Sequence, residues 1–326
     1  MSRGRSEGRR DAGGAAWGRV SFTSWQFLAF LAVVLTAYYL AERSARVQIG
    51  ILIGASLTFY AWDDPWLLVL LLAVAVIAAS ASRLLEETRT GQRQRKLITA
   101  GAVTVCLGLL CYFKYAGFLV DTIIGRSGGG ALGDYLRHVA LPIGISFYVF
   151  HAVSLVIDVE RGDYRAPAGR SGATHLAHTA LYMTFFPQLV SGPITKAKQF
   201  MPQIGGKRLQ DIEVETAFRH LLLGYFLKLV VADNLAVQTQ AMSYPHFMGL
   251  SSYHLLGLML GYSCQIFSDF FGYSLIAMGL AELFGYRLPD NFNRPYMATS
   301  FSEFWRRWHM SLSAWLRDYL NRPLGG

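Results

Sequence analysis

Residues Asn291–Gly326 read NFNRPYMATSFSEFWRRWHMSLSAWLRDYLNRPLGG and carry the strongest structural signals in the chain. Ser300 followed by Glu303 has the spacing of a capping box, in which a hydroxyl accepts from a free helix N–H and a carboxylate reaches back. The PLGG ending stops a helix. A helix is therefore predicted over about 301–320, and one broad arc of its wheel is apolar. That arc holds Phe304, Trp305, Trp308, Leu312, Trp315, Leu316 and Tyr319.

His309 lies on the apolar arc, beside Trp305 and Leu312. An imidazole has an ordinary pKa near 6.5, so burial would keep it neutral and able to accept a proton. The alternative is a core histidine whose ring nitrogens bond to the backbone, and on composition alone this is the more frequent case. The pattern by itself leaves both interpretations open.

The composition is that of a membrane protein. Of the 326 residues, 53% are hydrophobic and 16% are charged, which is too apolar for a soluble chain of this length. The net charge of +9 lies mainly in short connecting segments, and we interpret it as a topology signal and not as a nucleic-acid footprint. The 3 cysteines lie in apolar stretches, and no metal-ligand spacing occurs, so neither disulfides nor a metal site is expected.

Apolar segments of the length that a bilayer requires recur along the chain. The candidate spans are 22–41, 47–62, 65–82, 97–120, 139–159, 174–192, 214–236 and 252–285. The last is long enough for two helices, with a break predicted near Gly272. Residues 1–19, rich in Arg, Gly and Ala, are predicted to be a disordered extension, and residues 20–326 to form one membrane domain. The sequence thus predicts an all-α transmembrane bundle.

The positive-inside rule orients these segments. The loop at 83–96 carries five basic residues, so it is placed in the cytoplasm and the Asp63–Asp64 loop outside. The arginines of 161–170 then also fall on the cytoplasmic side. Basic residues at 196–208 would fall outside, against the rule. This conflict predicts that 174–192 is re-entrant, which membranes tolerate where the backbone is buried in protein or lines a cavity.

Residues 185–204 read FFPQLVSGPITKAKQFMPQI, and two prolines with a glycine make a continuous helix improbable. A bent segment that lines a reaction chamber is expected. Its polar side chains Gln188, Ser191 and Lys196 would hold an acyl donor there. A purely structural turn is the equally weighted alternative.

Two polar residues on the segment 262–296 are one helical turn apart and can point into the bundle together. They are Gln265 and Asp269. A carboxylate within the membrane is costly unless it is paired. Arg294, Arg306 or Arg307 is its expected partner.

Two further ionisable groups lie within apolar segments, where such groups are functional candidates by default. Lys228 is expected to snorkel or to pair with Asp233. His151, within LPIGISFYVFHAVSLVIDV (141–159), is either functional or a neutral histidine bonded to a neighbouring helix. A transporter or channel component, with Asp269, Lys228 and His151 along its path, is the alternative to an enzyme.

Four motifs together resemble the membrane-bound O-acyltransferase (MBOAT) family: the 291–326 stretch, 262–296, 185–204 and 141–159. The resemblance is greatest to the bacterial polysaccharide branch, which includes alginate O-acetylases and teichoic-acid D-alanyl transferases. It implies an MBOAT-type bundle with re-entrant or broken helices. It covers residues 20–326 but only the N-terminal two-thirds of a typical member. The family's second histidine and later spans would follow PLGG, so a fragment or truncated product is expected, and an inactive pseudo-enzyme is a further alternative to a working enzyme.

The resemblance implies transfer of an acyl group, with acetyl the more frequent cargo, from a cytoplasmic thioester to a polysaccharide hydroxyl. His309 matches the family histidine and would act as the base. No permanently bound cofactor is implied; the donor would be acetyl-CoA or an acyl carrier protein. The setting is the bacterial inner membrane, and an extracytoplasmic acyltransferase partner is expected. The residues expected to line the chamber or hold the donor are Asn293, Arg294, Trp305, Arg306, Asp269, Gln265, Gln188, Ser191 and Lys196.

Overall fold

A computed structural model describes residues 22–62, 65–87, 91–123, 130, 135–136, 142–167, 169–190 and 192–325. All regular structure in these ranges is helical, as predicted. The α-helices are α1 (Trp25–Leu40), α2 (Ala45–Ala61), α3 (Leu67–Glu87), α4 (Gln92–Ile123), α5 (Ile145–Arg161), α6 (Gly172–Thr184), α7 (Phe186–Leu189), α8 (Ala197–Phe200), α9 (Val214–Tyr225), α10 (Asp233–Thr239), α11 (Ser252–Leu283), α12 (Phe301–Arg307) and α13 (Met310–Leu316). Wider π-helical turns follow α9 at Phe226–Ala232 and α13 at Arg317–Asn321.

Within the described residues, four helical stretches are long and apolar enough to cross a membrane: Leu67–Glu87, Gln92–Thr122, Val214–Met242 and Ser252–Leu283. The shorter helices α1 and α2 are also apolar. This confirms an all-α membrane fold built from several helices. The expected extension at 1–19 and the Asp63–Asp64 loop lie outside the described residues.

Helix α5 lies at the centre of the bundle, packed against α3 and α4. Tyr148 and Leu155 are among its fully buried side chains. The helix begins only at Ile145, because Gly144 takes the left-handed conformation at φ 73°. A Cβ at Gly144 would lie 2.6 Å from the carbonyl oxygen of Leu189, so the chain needs glycine there for contact as well as for conformation.

The chain is bent over 185–204, as the prolines of that segment predict. Helix α6 has 13 residues, or about 20 Å at 1.5 Å per residue, which is short of a bilayer crossing. Phe185 then leaves the helix, and the chain continues through α7, an extended stretch and α8. No continuous helix forms over 185–204 within its described residues.

The break predicted near Gly272 is wrong, because α11 runs unbroken for 32 residues. Gly272 instead lets α9 and α11 approach: a Cβ there would lie 2.9 Å from the Gly224 carbonyl oxygen. A second close contact occurs seven residues on, where Gly279 meets Ala217. Small residues at such intervals allow membrane helices to pack backbone against backbone.

We therefore expect Gly272→Ala to destabilise the protein by about 1–3 kcal/mol, the usual cost of overpacking against a backbone that cannot easily move. The matched control is Gly257→Ala in the same helix, where an added Cβ meets nothing within 4 Å. This control should unfold at the wild-type temperature or slightly above it, since alanine favours helix. Thermal unfolding in detergent measures both variants. Equal stability of the two would contradict the close-packing role.

Candidate active site around His309

The backbone turns sharply at His309. Helix α12 ends at Arg307, Trp308 is extended, and His309 takes the left-handed conformation at φ 44° and ψ 53° before α13 begins. The prediction of one helix over 301–320 is therefore wrong. A non-glycine residue in this conformation costs of order 1–3 kcal/mol, and it persists where surrounding contacts over-determine it.

The helix break leaves the Arg307 carbonyl oxygen and the Met310 N–H without helical partners. Two backbone hydrogen bonds from the preceding loop satisfy these groups. The Asn293 N–H donates to the Arg307 carbonyl oxygen, at 2.9 Å. The Met310 N–H donates to the Asn291 carbonyl oxygen, also at 2.9 Å. The loop thus takes the place of the missing helical turn.

Asn291 and Ser311 form a buried polar link under the turn. The Ser311 hydroxyl donates to Asn291 Oδ1 at 2.5 Å and accepts from the Ile194 N–H at 3.0 Å. Asn291 Nδ2 donates to the Ser274 hydroxyl oxygen at 2.9 Å. The link therefore joins α13, α11, the 291–293 loop and the 185–204 segment. The sequence analysis missed both Asn291 and Ser311, because nothing in the NFN motif shows which asparagine is buried.

The predicted capping box forms at the start of α12, displaced by one residue. The Ser300 hydroxyl accepts from the Glu303 N–H at 3.2 Å. The Glu303 carboxylate reaches back to Thr299 and not to Ser300, accepting from its N–H and its hydroxyl at 2.8 Å each. These bonds, with that from Arg307 at 2.6 Å, lower the pKa of Glu303 to about 2. The first turn of α12 is thus held by a carboxylate that is ionised near pH 7.

The imidazole of His309 lies in an aromatic setting. Its ring is perpendicular to that of Phe270, with centroids 4.7 Å apart. Burial lowers the pKa of His309 to about 4. Nε2 is shielded from solvent and has no hydrogen-bond partner among the described residues. The ring is therefore neutral near pH 7, and the backbone bonds expected of an ordinary core histidine are not found for this nitrogen.

Four predicted site residues near the turn in sequence are exposed: Asn293, Arg294, Trp305 and Arg306. Trp305 is 49% exposed. Among the described residues, none of these side chains forms a hydrogen bond with His309. These residues are close to the turn in sequence, but the structure does not bring their side chains into hydrogen bonds with the imidazole.

Two other predicted donor residues, Lys196 and Gln188, lie deeper in the protein. Lys196 Nζ is 2.5 Å from Asp318 Oδ2, and both residues are buried. Burial would raise the pKa of Asp318, but the bond from Lys196 outweighs it and the pKa is lowered. Gln188 is fully buried, and its Nε2 donates to the Tyr182 carbonyl oxygen at 2.7 Å. Ser191 lies outside the described residues.

Asp269 does not pair with an arginine, so that expectation is wrong. Its carboxylate is 2.7 Å from Lys228 Nζ, which is also 2.7 Å from Asp233. The predicted Lys228–Asp233 pair is thereby confirmed. The side-chain oxygen of Gln265 accepts a hydrogen bond from the Thr239 hydroxyl at 2.6 Å.

His151 is completely buried on α5. Neither ring nitrogen has a hydrogen-bond partner among the described residues. Its ring packs on that of Tyr182, with centroids 5.1 Å apart. The bond to a neighbouring helix, one of the two alternatives, is therefore not found there, and a functional role for His151 stays a prediction.

The helices and this site define a multi-pass helical membrane protein with a neutral histidine at a broken helix. Residues 56–326 match the model of the MBOAT, membrane-bound O-acyltransferase family, and the chain belongs to that family.

Named relatives agree with this assignment. The chain is 37% identical over 316 residues to a probable alginate O-acetylase of Pseudomonas syringae pv. tomato, covering 94% of this chain and 57% of the relative. It is 31% identical to the peptidoglycan O-acetyltransferase of Helicobacter pylori, covering 91% of this chain and 60% of the relative. It is 32% identical over 187 residues to the teichoic acid D-alanyltransferase of Streptococcus thermophilus, covering 55% of this chain and 43% of that protein. The chain spans roughly three-fifths of the length of the alginate O-acetylase.

The buried link under the turn can be tested with two serines of α13. Ser311→Ala removes the acceptor for the Ile194 N–H and the donor to Asn291, so it should cost about 1–3 kcal/mol of unfolding free energy. Ser313→Ala is the control, because its hydroxyl makes only a 3.5 Å contact with the Trp305 carbonyl oxygen. Denaturant unfolding compares the variants. If Ser313→Ala is as destabilising as Ser311→Ala, the link does not hold the turn.

Proposed function

We propose that the chain is the histidine-bearing part of a membrane O-acyltransferase. The enzyme moves an acyl group, with acetyl the preferred cargo, from a cytoplasmic thioester to a hydroxyl of an exported or cell-envelope polysaccharide. The observation that carries the proposal is the His309 imidazole, neutral near pH 7 and with a buried nitrogen that no described residue occupies. An unpaired polar atom in a buried position calls for a functional explanation.

The reaction needs a base that is unprotonated before the acceptor arrives. A sugar hydroxyl has a pKa far above 7, so it attacks well only when its proton is removed in the transition state. In the proposed step, the hydroxyl oxygen bonds to the thioester carbonyl carbon while its proton passes to the free ring nitrogen of His309. The C–S bond then breaks, and the imidazolium returns the proton to the leaving thiolate. The products are an ester and a thiol.

The carbonyl oxygen gains negative charge during attack and needs fixed donors. Asn293, Arg306 and the N–H of Trp305 are the proposed donors, and Arg294 would line the same space. Their exposure at the turn supports this role, because a donor must face the space that the substrate occupies. Gln188, Ser191, Lys196, Gln265 and Asp269 would support the chamber wall.

The acyl donor is proposed to be acetyl-CoA or an acyl carrier protein, and the enzyme the inner-membrane component that works with an extracytoplasmic acyltransferase. The names of the relatives support the polysaccharide acceptor, since alginate and peptidoglycan are both exported. A protein chamber through the bilayer would let the acyl group pass without the donor itself crossing.

His309→Ala should lower acyl incorporation into polysaccharide by at least about 100-fold, the lower range for loss of a general base. The measurement is ester-linked acyl content in cells expressing the complete reading frame, with expression checked by immunoblot. His246→Ala is the control, because His246 is exposed and remote in sequence from the turn. Full activity of His309→Ala would reject His309 as the base.

The pH profile gives a separate test. A base with the ordinary pKa would lose half its activity near pH 6.5. Because the pKa of His309 is lowered to about 4, the rate should stay level as the pH falls through 6.5 and should decline only on approach to pH 4. Phe270→Ala exposes the ring and should move the midpoint upward. A wild-type midpoint at 6.5, measured in membrane vesicles, would contradict the buried neutral base.

A further inference from the structure

A basic cavity lies at the ends of α3 and α5, on the side that the positive-inside rule places in the cytoplasm. Its volume is about 640 Å³. Among the described residues, five arginines and three glutamates line it, which leaves a net positive charge. The two basic loops that the sequence assigns separately to the cytoplasm, at 83–96 and 161–170, meet here.

Arg95 stabilises the wall of the cavity. The guanidinium of Arg95 donates to the carbonyl oxygens of Val159 and Glu160 at 3.1 and 3.0 Å, and to that of Leu85. It therefore bonds to carbonyl groups at the C-terminal ends of both α3 and α5, where helix carbonyls need partners from outside the helix. With its donors directed to the backbone, Arg95 serves as a structural residue of the cavity wall.

Two other arginines retain donors for a ligand. Arg165 makes no hydrogen bond or ion pair with any described residue, and its guanidinium lies near the backbone of Gly162. Arg170 donates from Nη1 to the Tyr164 hydroxyl at 3.1 Å, which leaves its remaining N–H groups available. Both residues line the same cavity, and guanidinium forks suit the oxygens of a phosphoryl group.

Two of the three glutamates already have partners. Glu87 is 2.7 Å from Arg83, and Glu86 accepts from the Ala166 N–H at 3.1 Å. These partners offset part of the negative charge of the two carboxylates. The carboxylates therefore repel a bound anion less than unpaired carboxylates would.

We infer that this cavity binds the phosphoryl group of an anionic phospholipid of the cytoplasmic leaflet, held by Arg165 and Arg170. Basic pockets between membrane helices on this side are suited to such headgroups. Exposed apolar side chains adjacent in sequence to lining residues favour a lipid over a soluble phosphate compound. Leu84, between the lining residues Arg83 and Leu85, is 50% exposed, and Leu97, two residues after the lining residue Arg95, is 64% exposed, so acyl chains could lie on them.

The cavity also touches the segment that follows His309. Arg161 lines the cavity, and its Nη1 donates to the Asp318 carbonyl oxygen at 2.9 Å. Its guanidinium lies 5.8 Å from the centre of the Tyr319 ring. A headgroup in the cavity would therefore lie beside a residue that holds the C-terminal end of the site.

The test is lipid retention by the purified full chain, measured by native mass spectrometry from equimolar phosphatidylglycerol and phosphatidylcholine. The wild type should retain phosphatidylglycerol preferentially. Arg165→Gln with Arg170→Gln should weaken that preference by about fivefold per arginine removed, or about thirtyfold together. Arg219→Gln with Arg287→Gln removes the same charge from two exposed arginines and should leave the preference unchanged. Unfolding temperatures show whether each variant is folded.

An unchanged preference in the folded Arg165/Arg170 variant would overturn the inference, as would an equal loss in the Arg219/Arg287 variant. Adding millimolar inorganic phosphate or glycerol phosphate shows whether the ligand is a lipid headgroup or a soluble phosphate compound. Retention of phosphatidylglycerol in their presence supports the lipid. Its displacement, together with saturable phosphate binding that the Arg165/Arg170 variant lacks, would overturn the lipid assignment and identify a soluble phosphate compound as the ligand.

Discussion

The buried contact between Asn291 and Ser311 is the constraint on which the proposed site depends. A left-handed histidine is unfavourable by itself, and a helix broken in an apolar bundle exposes backbone groups that water cannot reach. The Asn291 side chain, its carbonyl oxygen and the Asn293 N–H compensate for both. Through Ser311 they also hold the extended stretch at Ile194, so that two irregular segments stabilise each other.

Part of this arrangement was predictable from the sequence because local chemistry determines it. The capping box fixes the start of α12, and the prolines and glycine of 185–204 exclude a continuous helix. The length of the apolar segments also placed most of the long helices. In each case the deciding interaction lies within a few residues along the chain.

The errors have a common origin in contacts that are distant in sequence. Nothing near His309 predicts the helix break, because the bonds that stabilise it come from residues 291 and 293. Glycine commonly interrupts helices, yet Gly272 packs against the backbone of Gly224 and the helix continues. Asp269 is paired with Lys228, which a π-helical turn presents between two carboxylates. A local pattern cannot distinguish these outcomes.

Helix α5 connects the two polar regions of the molecule. Near its start, the Phe150 ring stacks on Trp315 with centroids 4.3 Å apart, and further along Asp158 accepts from the Tyr319 hydroxyl at 2.6 Å. At its end, Arg161 reaches both the Asp318 carbonyl oxygen and the basic cavity. Because a buried helix moves as a rigid unit, α5 fixes the position of the segment that follows His309 relative to the wall of the cavity. Any ligand that orders the end of α5 would therefore also restrain the segment on which the proposed base depends.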